Sequence, residues 1–360
     1  MSHAAYLAAK RFPSLDGLRC LSIVPVVWHH ATLGPLPGLL GKGPVGVDLF
    51  FALSGFLITT LLLREQSATG TLDIARFYAR RAFRILPLYY GTLLLYTLRA
   101  LFLLPDSPSR AHFWKSLPAF ATFTTNWLVD FDVPHPVMFA FAWSLATEEQ
   151  FYLLWPLVAR AARTSLLPVA TATLLLLGDQ AAEHGLFASL LPTGGLALRM
   201  LTSVASPLCL GVLLAHALHR PRPFSLAYLL LGRRAAAPLC LLAVLALLAA
   251  DGAPLWTVQL ALALLVGACS IRPDHGLRRL TDARAPAFIG AVSYGMYMLH
   301  VSAITLVKQL LPAQHHSAPR IFFPAFALTL LLAAASHRWF ERPFLRFAER
   351  FRAPLPPASR

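Results

Sequence analysis

Apolar stretches of roughly twenty residues recur along the whole chain, separated by short polar or basic connections, and each is about long enough to cross a bilayer as a helix. About ten spans are expected, near 15–33, 44–63, 85–104, 141–158, 166–178, 200–218, 236–250, 255–271, 285–311 and 321–340. The apolar stretch 116–129 is too short for a crossing and reads as a re-entrant or interfacial segment of a long outer loop. The pattern predicts an all-α polytopic membrane protein, with one membrane domain over 1–345 and a short basic tail over 346–360.

The distribution of charge gives this pattern a direction. Of the 360 residues 57% are hydrophobic and only 13% charged, outside the range of ordinary soluble domains. The net charge of +15 is spread over alternate connections rather than gathered on one face, which excludes a nucleic-acid partner. Lys10, Arg11 and Arg19 precede the first span; Arg64, Arg76, Arg80, Arg81 and Arg84 fill the second connection. Arg160 with Arg163, Arg220 with Arg222, Arg233 with Arg234, Arg272 to Arg284 and the tail continue on the same side, so both termini are expected in the cytoplasm. No small-residue cleavage site follows the first apolar run, which should therefore persist as a helix. Cys20, Cys209, Cys240 and Cys269 stand singly in mostly apolar surroundings and suggest neither a disulfide framework nor a metal site.

Four constellations carry candidate chemistry. In LDGLRCLSIVPVVWHH, eleven helical steps put Arg19 and His30 on nearly one face, about 16 Å apart, with Pro25 expected to kink or loosen the helix between them. Ionisable groups inside a span are costly, and a histidine is the usual general base for a hydroxyl nucleophile. An interfacial histidine is the plainer alternative, and His29 lies about 100° round the helix from His30. In GKGPVGVDLFFALSGFLI, Gly43, Gly46 and Gly55 allow close backbone approach, while Asp48 either orients a histidine or serves the helix N-terminus. In RFYARRAFRILPLYY, Arg76, Arg80 and Arg84 recur every fourth residue beside Arg81, a cytoplasmic array suited to phosphate oxygens or to anionic lipid headgroups. In FAWSLATEEQFYLLWP, Glu148 and Glu149 fall about two turns into an inward-running span, at the depth expected of His30, where a carboxylate can fix a histidine tautomer or pair with an arginine. Two weaker features follow, SYGMYMLH with Tyr294, Tyr297 and His300 on one face, and RWFERPF with Glu341.

Taken in order, LDGLR with a histidine eleven residues after its arginine, GVDLFFALSGFLI, FYARRAFRILPLYY, WSLATEEQFYLLWP, SYGMYMLH and WFERPF resemble the acyltransferase family 3 membrane proteins over nearly the whole chain. The resemblance implies an integral-membrane O-acyltransferase in its stand-alone form, without a fused periplasmic esterase-like domain. The usual acyl group would be acetyl, moved to hydroxyls of a cell-surface glycan, a glycolipid or a secreted metabolite, in a bacterial inner membrane. It places the family's arginine-histidine pair on Arg19 and His30, its Ser-Leu-x-x-Glu on Ser144, Leu145 and Glu148, its aspartate on Asp48 and its basic segment on Arg80, Arg81 and Arg84, with Arg76 a less certain member.

The expected mechanism docks the phosphates of cytoplasmic acyl-CoA on these arginines, leads the thioester past Arg19 and uses His30 as the base, with Glu148 and Asp48 tuning it or positioning the acceptor. No metal is expected; the expected partners are membrane lipid and the hydroxylated acceptor, with a separate periplasmic esterase-like protein as a partner in the alternative in which acetyl is only passed across the membrane. Two rivals are an acyl-group carrier serving such an esterase and a secondary transporter, against which the concentration of motifs in the first 160 residues argues. Trp114, Asn126, Trp127, Asp130, Asp132 and His135 of the outer loop are expected to meet the acceptor or to anchor the loop.

Overall fold

A computed structural model describes residues 1–9, 11–32, 38–162, 164, 166–192, 194–250 and 252–351. Lys10, Arg163 and the basic ending 352–360 lie outside the described residues. The described residues contain no strand. The chain opens with α1 (His3–Ala8), α2 (Ser14–Ala31) and α3 (Val45–Thr69). Next come α4 (Ile74–Phe102), α5 (Pro108–Ala121), α6 (Thr125–Leu128), α7 (Ala142–Ala161), α8 (Leu166–Glu183) and α9 (Leu196–Thr202). Then follow α10 (Ser206–His219), α11 (Pro221–Leu231), α12 (Ala236–Ala249), α13 (Leu255–Ile271) and α14 (Arg278–Thr281). The last are α15 (Arg284–Ala291), α16 (Ser293–Leu310), α17 (Ala318–Ala335) and α18 (Arg342–Ala348). They form two compact units, Met1–Arg64 with Ser206–Arg338 and Glu65–Ala205 with Trp339–Arg360.

Val45–Thr69, Ile74–Phe102 and Ala318–Phe351 are each long and apolar enough to cross a membrane, and three bent helix pairs raise the number to six. Large apolar side chains stand exposed along these and neighbouring helices, among them Leu94, Leu98, Leu174, Leu177, Phe323 and Leu331. Water would penalise such a surface and lipid would cover it, so the chain is a multi-pass membrane protein.

Several boundaries differ from the sequence reading. The run 285–311 is not one continuous helix: α15 and α16 meet at 76°. The break follows Gly290, which packs so closely on the backbone of Asp16 that no Cβ would fit there. The run 200–218 is likewise interrupted, between Thr202 and Ser206. The basic segment is not a separate element before its span. Asp73 caps α4 by accepting from the Arg76 amide at 3.0 Å, and one helix carries the arginines into the apolar run. The start of the expected tail is helical because Phe347 and Phe351 pack on Phe83.

In the first unit α2 is the central element, packed by α13, α14, α15, α16 and α17. Leu15, Leu18, Ile23, Val26 and Val27 are buried. Its first turn is anchored by a polar chain: the Ser14 hydroxyl donates to Asp282 Oδ1 at 2.6 Å and accepts from His275 Nε2 at 2.8 Å. Burial holds His275 below the usual histidine range, so the ring is neutral near pH 7. Because its folded value is lowered from 6.5, stability from this chain is complete above about pH 6.5 and declines as pH falls from there toward the folded value. Ser14→Ala takes from the buried His275 Nε2 its acceptor and from Asp282 one of its donors, and should cost about 1 to 3 kcal/mol, read as a lower thermal midpoint in detergent.

The second unit is built on α4, which packs against α5, α7 and α18. Hydroxyls tie it together: Tyr89 donates to Phe120 O at 2.7 Å, Tyr90 to Ala121 O at 2.9 Å and Tyr78 to Leu153 O at 2.5 Å.

Candidate functional site

The histidines belong to the first unit. α2 stays helical from Ser14 to Ala31, so Pro25 removes one backbone donor, the partner of the Leu21 carbonyl, without breaking the helix. His30 Nδ1 donates to Val26 O at 2.9 Å. A carbonyl can only accept, so Nδ1 carries the proton of the neutral ring and Nε2 is its basic nitrogen. The tautomer-fixing bond that the sequence reading gave to a carboxylate thus comes from the histidine's own helix. His29 is exposed, while His30 is sheltered. The His30 ring lies 4.7 Å from that of His300 on α16, and the Tyr297 ring is 5.5 Å from His300, so the face expected to carry Tyr297 and His300 does meet the histidine of α2.

Arg19 pairs with Asp16 at 2.5 Å, a counter-ion inside its own LDGLR motif. Asp16 was absent from the expected set, although the i,i+3 spacing of opposite charges was readable. Asp48 lies in the first turn of α3, and its Oδ1 accepts from the buried Gln259 of α13 at 3.4 Å. The loop before α3 and the first turn of α3 approach α2 closely: a Cβ on Gly43 would stand 2.5 Å from the Pro25 carbonyl and from His29 Cβ, and one on Gly46 would collide with the Ser22 carbonyl.

The second unit holds the acids and the basic array. On α7, Ser144 and Leu145 are buried, with Ser144 Oγ donating to Phe141 O at 3.2 Å, and Glu148 is half-buried. Its neighbour Glu149, which the motif passes over, has its Oε1 buried without a hydrogen-bond partner. Charge interactions link Glu149 to Arg81, Tyr89 and Tyr90. Gln150 Nε2 donates to Asn126 Oδ1 at 2.9 Å and to Phe123 O at 2.8 Å, and Asn126 Nδ2 returns a bond to Gln150 Oε1 at 3.0 Å. Trp127 Nε1 donates to Ser203 Oγ at 2.8 Å. Asn126 and Trp127 therefore brace the loop and do not offer these groups to an acceptor.

The four arginines of α4 have unlike surroundings. Arg76 pairs with Asp73 at 3.0 Å, and Arg80 pairs with Glu65 at 3.4 Å and donates from Nη1 to Phe351 O at 2.7 Å. Arg81 lies over the rings of Phe77 and Tyr152, at 5.8 and 5.2 Å, and Arg84 is exposed. Among the described residues no three His, Cys, Asp or Glu side chains are grouped to hold a metal ion.

Comparison with known proteins gives these features a common setting. A candidate O-acetyltransferase by name from Staphylococcus aureus (strain COL) is 26% identical over 359 residues, covering 94% of this chain and 58% of the relative. The peptidoglycan O-acetyltransferase OatA of Listeria monocytogenes is 32% identical over 163 residues, 43% of this chain and 25% of that protein. The O-acetyltransferase OatA of Staphylococcus aureus (strain NCTC 8325) is 37% identical over 153 residues, 41% of this chain and 24% of that protein. The chain thus spans 58% of the length of the first of these relatives. No solved structure matches it. The family model described as an acyltransferase domain matches residues 12–338, nearly the whole chain from the LDGLR helix to the end of α17, and the chain belongs to acyltransferase family 3.

Proposed function

We propose that the chain is an O-acetyltransferase of a bacterial inner membrane, crossing it about ten times with both termini in the cytoplasm. It moves an acetyl group from cytoplasmic acyl-CoA to a hydroxyl of a cell-surface glycan, a glycolipid or a secreted metabolite. The observation that carries this reading is His30. It sits inside an apolar helix with Nδ1 committed to Val26 O and Nε2 left basic, in a family with relatives named O-acetyltransferases. Such a nitrogen can take the acceptor's hydroxyl proton as the oxygen attacks the thioester carbon, then return a proton to the departing thiolate. Glu148 and Asp48 tune the base or position the acceptor, and Arg19, steadied by Asp16 and about 16 Å along the helix from His30, contacts the pantetheine region of the donor.

The basic segment of α4, Arg76, Arg80, Arg81 and Arg84, supplies the donor's phosphate contacts; Arg84 is exposed at the surface, and Arg76 is engaged with Asp73. Charge-assisted bonds of this kind are worth roughly 1.5 to 3 kcal/mol. Arg84→Glu should raise KM for acyl-CoA by about tenfold or more, while Arg76→Ala should change it little. Initial rates against acyl-CoA concentration in proteoliposomes give both numbers.

Mass spectrometry of surface glycans, lipids and secreted metabolites, comparing cells with and without the gene, tests the function as a whole. Loss of an ester-sized mass, restored by the gene, supports transfer and names the acceptor class. Product formed by purified protein from acetyl-CoA and that acceptor supports direct transfer. A requirement for a separate esterase-like protein would make the chain a carrier, and turnover without any acyl-CoA would reopen transport.

A further inference from the structure

His300 stands in the SYGMYMLH motif, which none of the roles above uses. The residue is fully buried in α16, with no exposed surface, and its Nδ1 donates to Tyr297 O at 2.6 Å. His30 repeats the device on α2 with Val26 O. Each ring is thereby held as the tautomer whose basic nitrogen is Nε2. The two rings lie 4.7 Å apart and nearly perpendicular, at 78°. They are joined by two helices in direct contact, α2 and α16, both of which also pack on α17.

A base that takes a hydroxyl proton becomes a cation, and the surroundings of His30 do little to receive one. Its Nδ1–H goes to a neutral carbonyl, and among the described residues of its own unit no carboxylate forms an ion pair with it. His29, in ring contact at 5.3 Å, and Lys308 of α16 both interact with it as like charges. The group placed to offset the new charge is the neutral ring of His300. Perpendicular aromatic rings set the positive edge of one toward the electron-rich face of the other, and the attraction grows when one ring becomes a cation away from water.

We propose that His300 is a positioning residue of the transfer reaction, holding the His30 ring in place and sharing the charge of its imidazolium. This rests on the reading of His30 as the base. In the step itself the acceptor O–H bond breaks and its proton forms an N–H bond at His30 Nε2. The freed electron pair of the oxygen forms the new ester bond to the acyl carbon. The C–S bond breaks, and the proton on Nε2 passes to the thiolate sulfur. His300 gains and loses no proton; it acts through the ring.

The experiment compares His300→Leu, His300→Phe and His300→Gln with the unaltered chain, in proteoliposomes at matched folded protein with acetyl-CoA and the acceptor. Leucine removes the ring and should lower kcat about thirtyfold, with KM for acetyl-CoA unchanged. Phenylalanine keeps a ring and should restore most of kcat, whereas glutamine keeps a polar donor for Tyr297 O and should not. In a His30→Ala background, His300→Leu should produce no further loss of kcat. Full kcat in His300→Leu overturns the proposal, as does rescue by glutamine in place of phenylalanine. If the leucine variant does not fold, the order of the phenylalanine and glutamine variants decides alone. Normal turnover in His30→Ala would instead remove the reading on which the proposal rests, so the two failures are distinguishable.

Discussion

Replacing His30 by alanine is expected to lower acyl transfer by about 10² to 10⁴, the range that general-base catalysis supplies, with little change in the amount of protein in the membrane. Stability should survive because the ring's hydrogen bond to Val26 O lies within its own turn, and a helix keeps its i,i+4 backbone bonds when a side chain is shortened. The loss should fall on kcat. His29→Ala is the comparison that gives the result its meaning, since His29 is exposed and its ring is 5.3 Å from His30. If the adjacent position tolerates alanine and His30 does not, the effect belongs to the His30 ring, whose Nε2 is left basic by the Nδ1 bond to Val26 O, and not to positive charge at that end of the helix. Full transfer by His30→Ala, measured as ester product at matched abundance, would falsify the assignment.

The second large effect is structural. At Gly55 a Cβ would collide with the Leu208 carbonyl, and at Gly211 one would collide with the Ala52 carbonyl and stand 2.7 Å from the Phe56 amide. α3 and α10 therefore touch backbone to backbone at two positions, each helix contributing one glycine. Gly55→Val and Gly211→Val force the helices apart at a place where backbone, not a flexible side chain, must move. Overpacking of this kind costs typically 1 to 3 kcal/mol and more where the backbone cannot yield. Both variants should accumulate poorly and lose thermal stability in detergent, each by more than the Ser14→Ala variant. Changing both together should cost less than the sum of the two, because one separation of the helices relieves both collisions.

The periodic and local features of this protein were readable from the chain. Apolar runs gave helices, small residues gave the close approaches at Gly43, Gly46 and Gly55, and an aspartate near the start of a run lay in the first turn of α3. The eleven-residue interval between Arg19 and His30 likewise fell within one helix. Partners that depend on packing between distant segments were not readable. Nothing local shows that Gln259 reaches Asp48 across 211 residues, or that Phe351 O occupies Arg80 across 271. The outer loop left two readings open for a related reason. Asn126 and Trp127 have the chemistry of a sugar site, but their hydrogen bonds are spent on Gln150 and Ser203, which only the packing of α6 against α7 and α9 brings near. Two boundaries failed because hydropathy is continuous across residues 285–311 and 200–218, whereas the helix is interrupted there. At Glu149 the sequence offered two adjacent acids, and only burial shows which oxygen lacks a partner.

The polar anchor of α2 bears on how the chain is made. Ser14 meets Asp282 across 268 residues and His275 across 261, and Gly17 and Asp16 rest on Thr281 and Gly290. α2 therefore completes its packing only against segments synthesised long after it. Contacts of such separation are slow to form and leave intermediates exposed to wrong partners, and synthesis at roughly 5 to 20 residues per second sets a minimum wait for α2. Through that interval the helix carrying His30 is lodged without α15 and α16, its arginine balanced by the aspartate of its own first turn. The Asp16–Arg19 pair needs no distant partner, so it can lower the charge of the unfinished helix before the chain that will enclose it arrives.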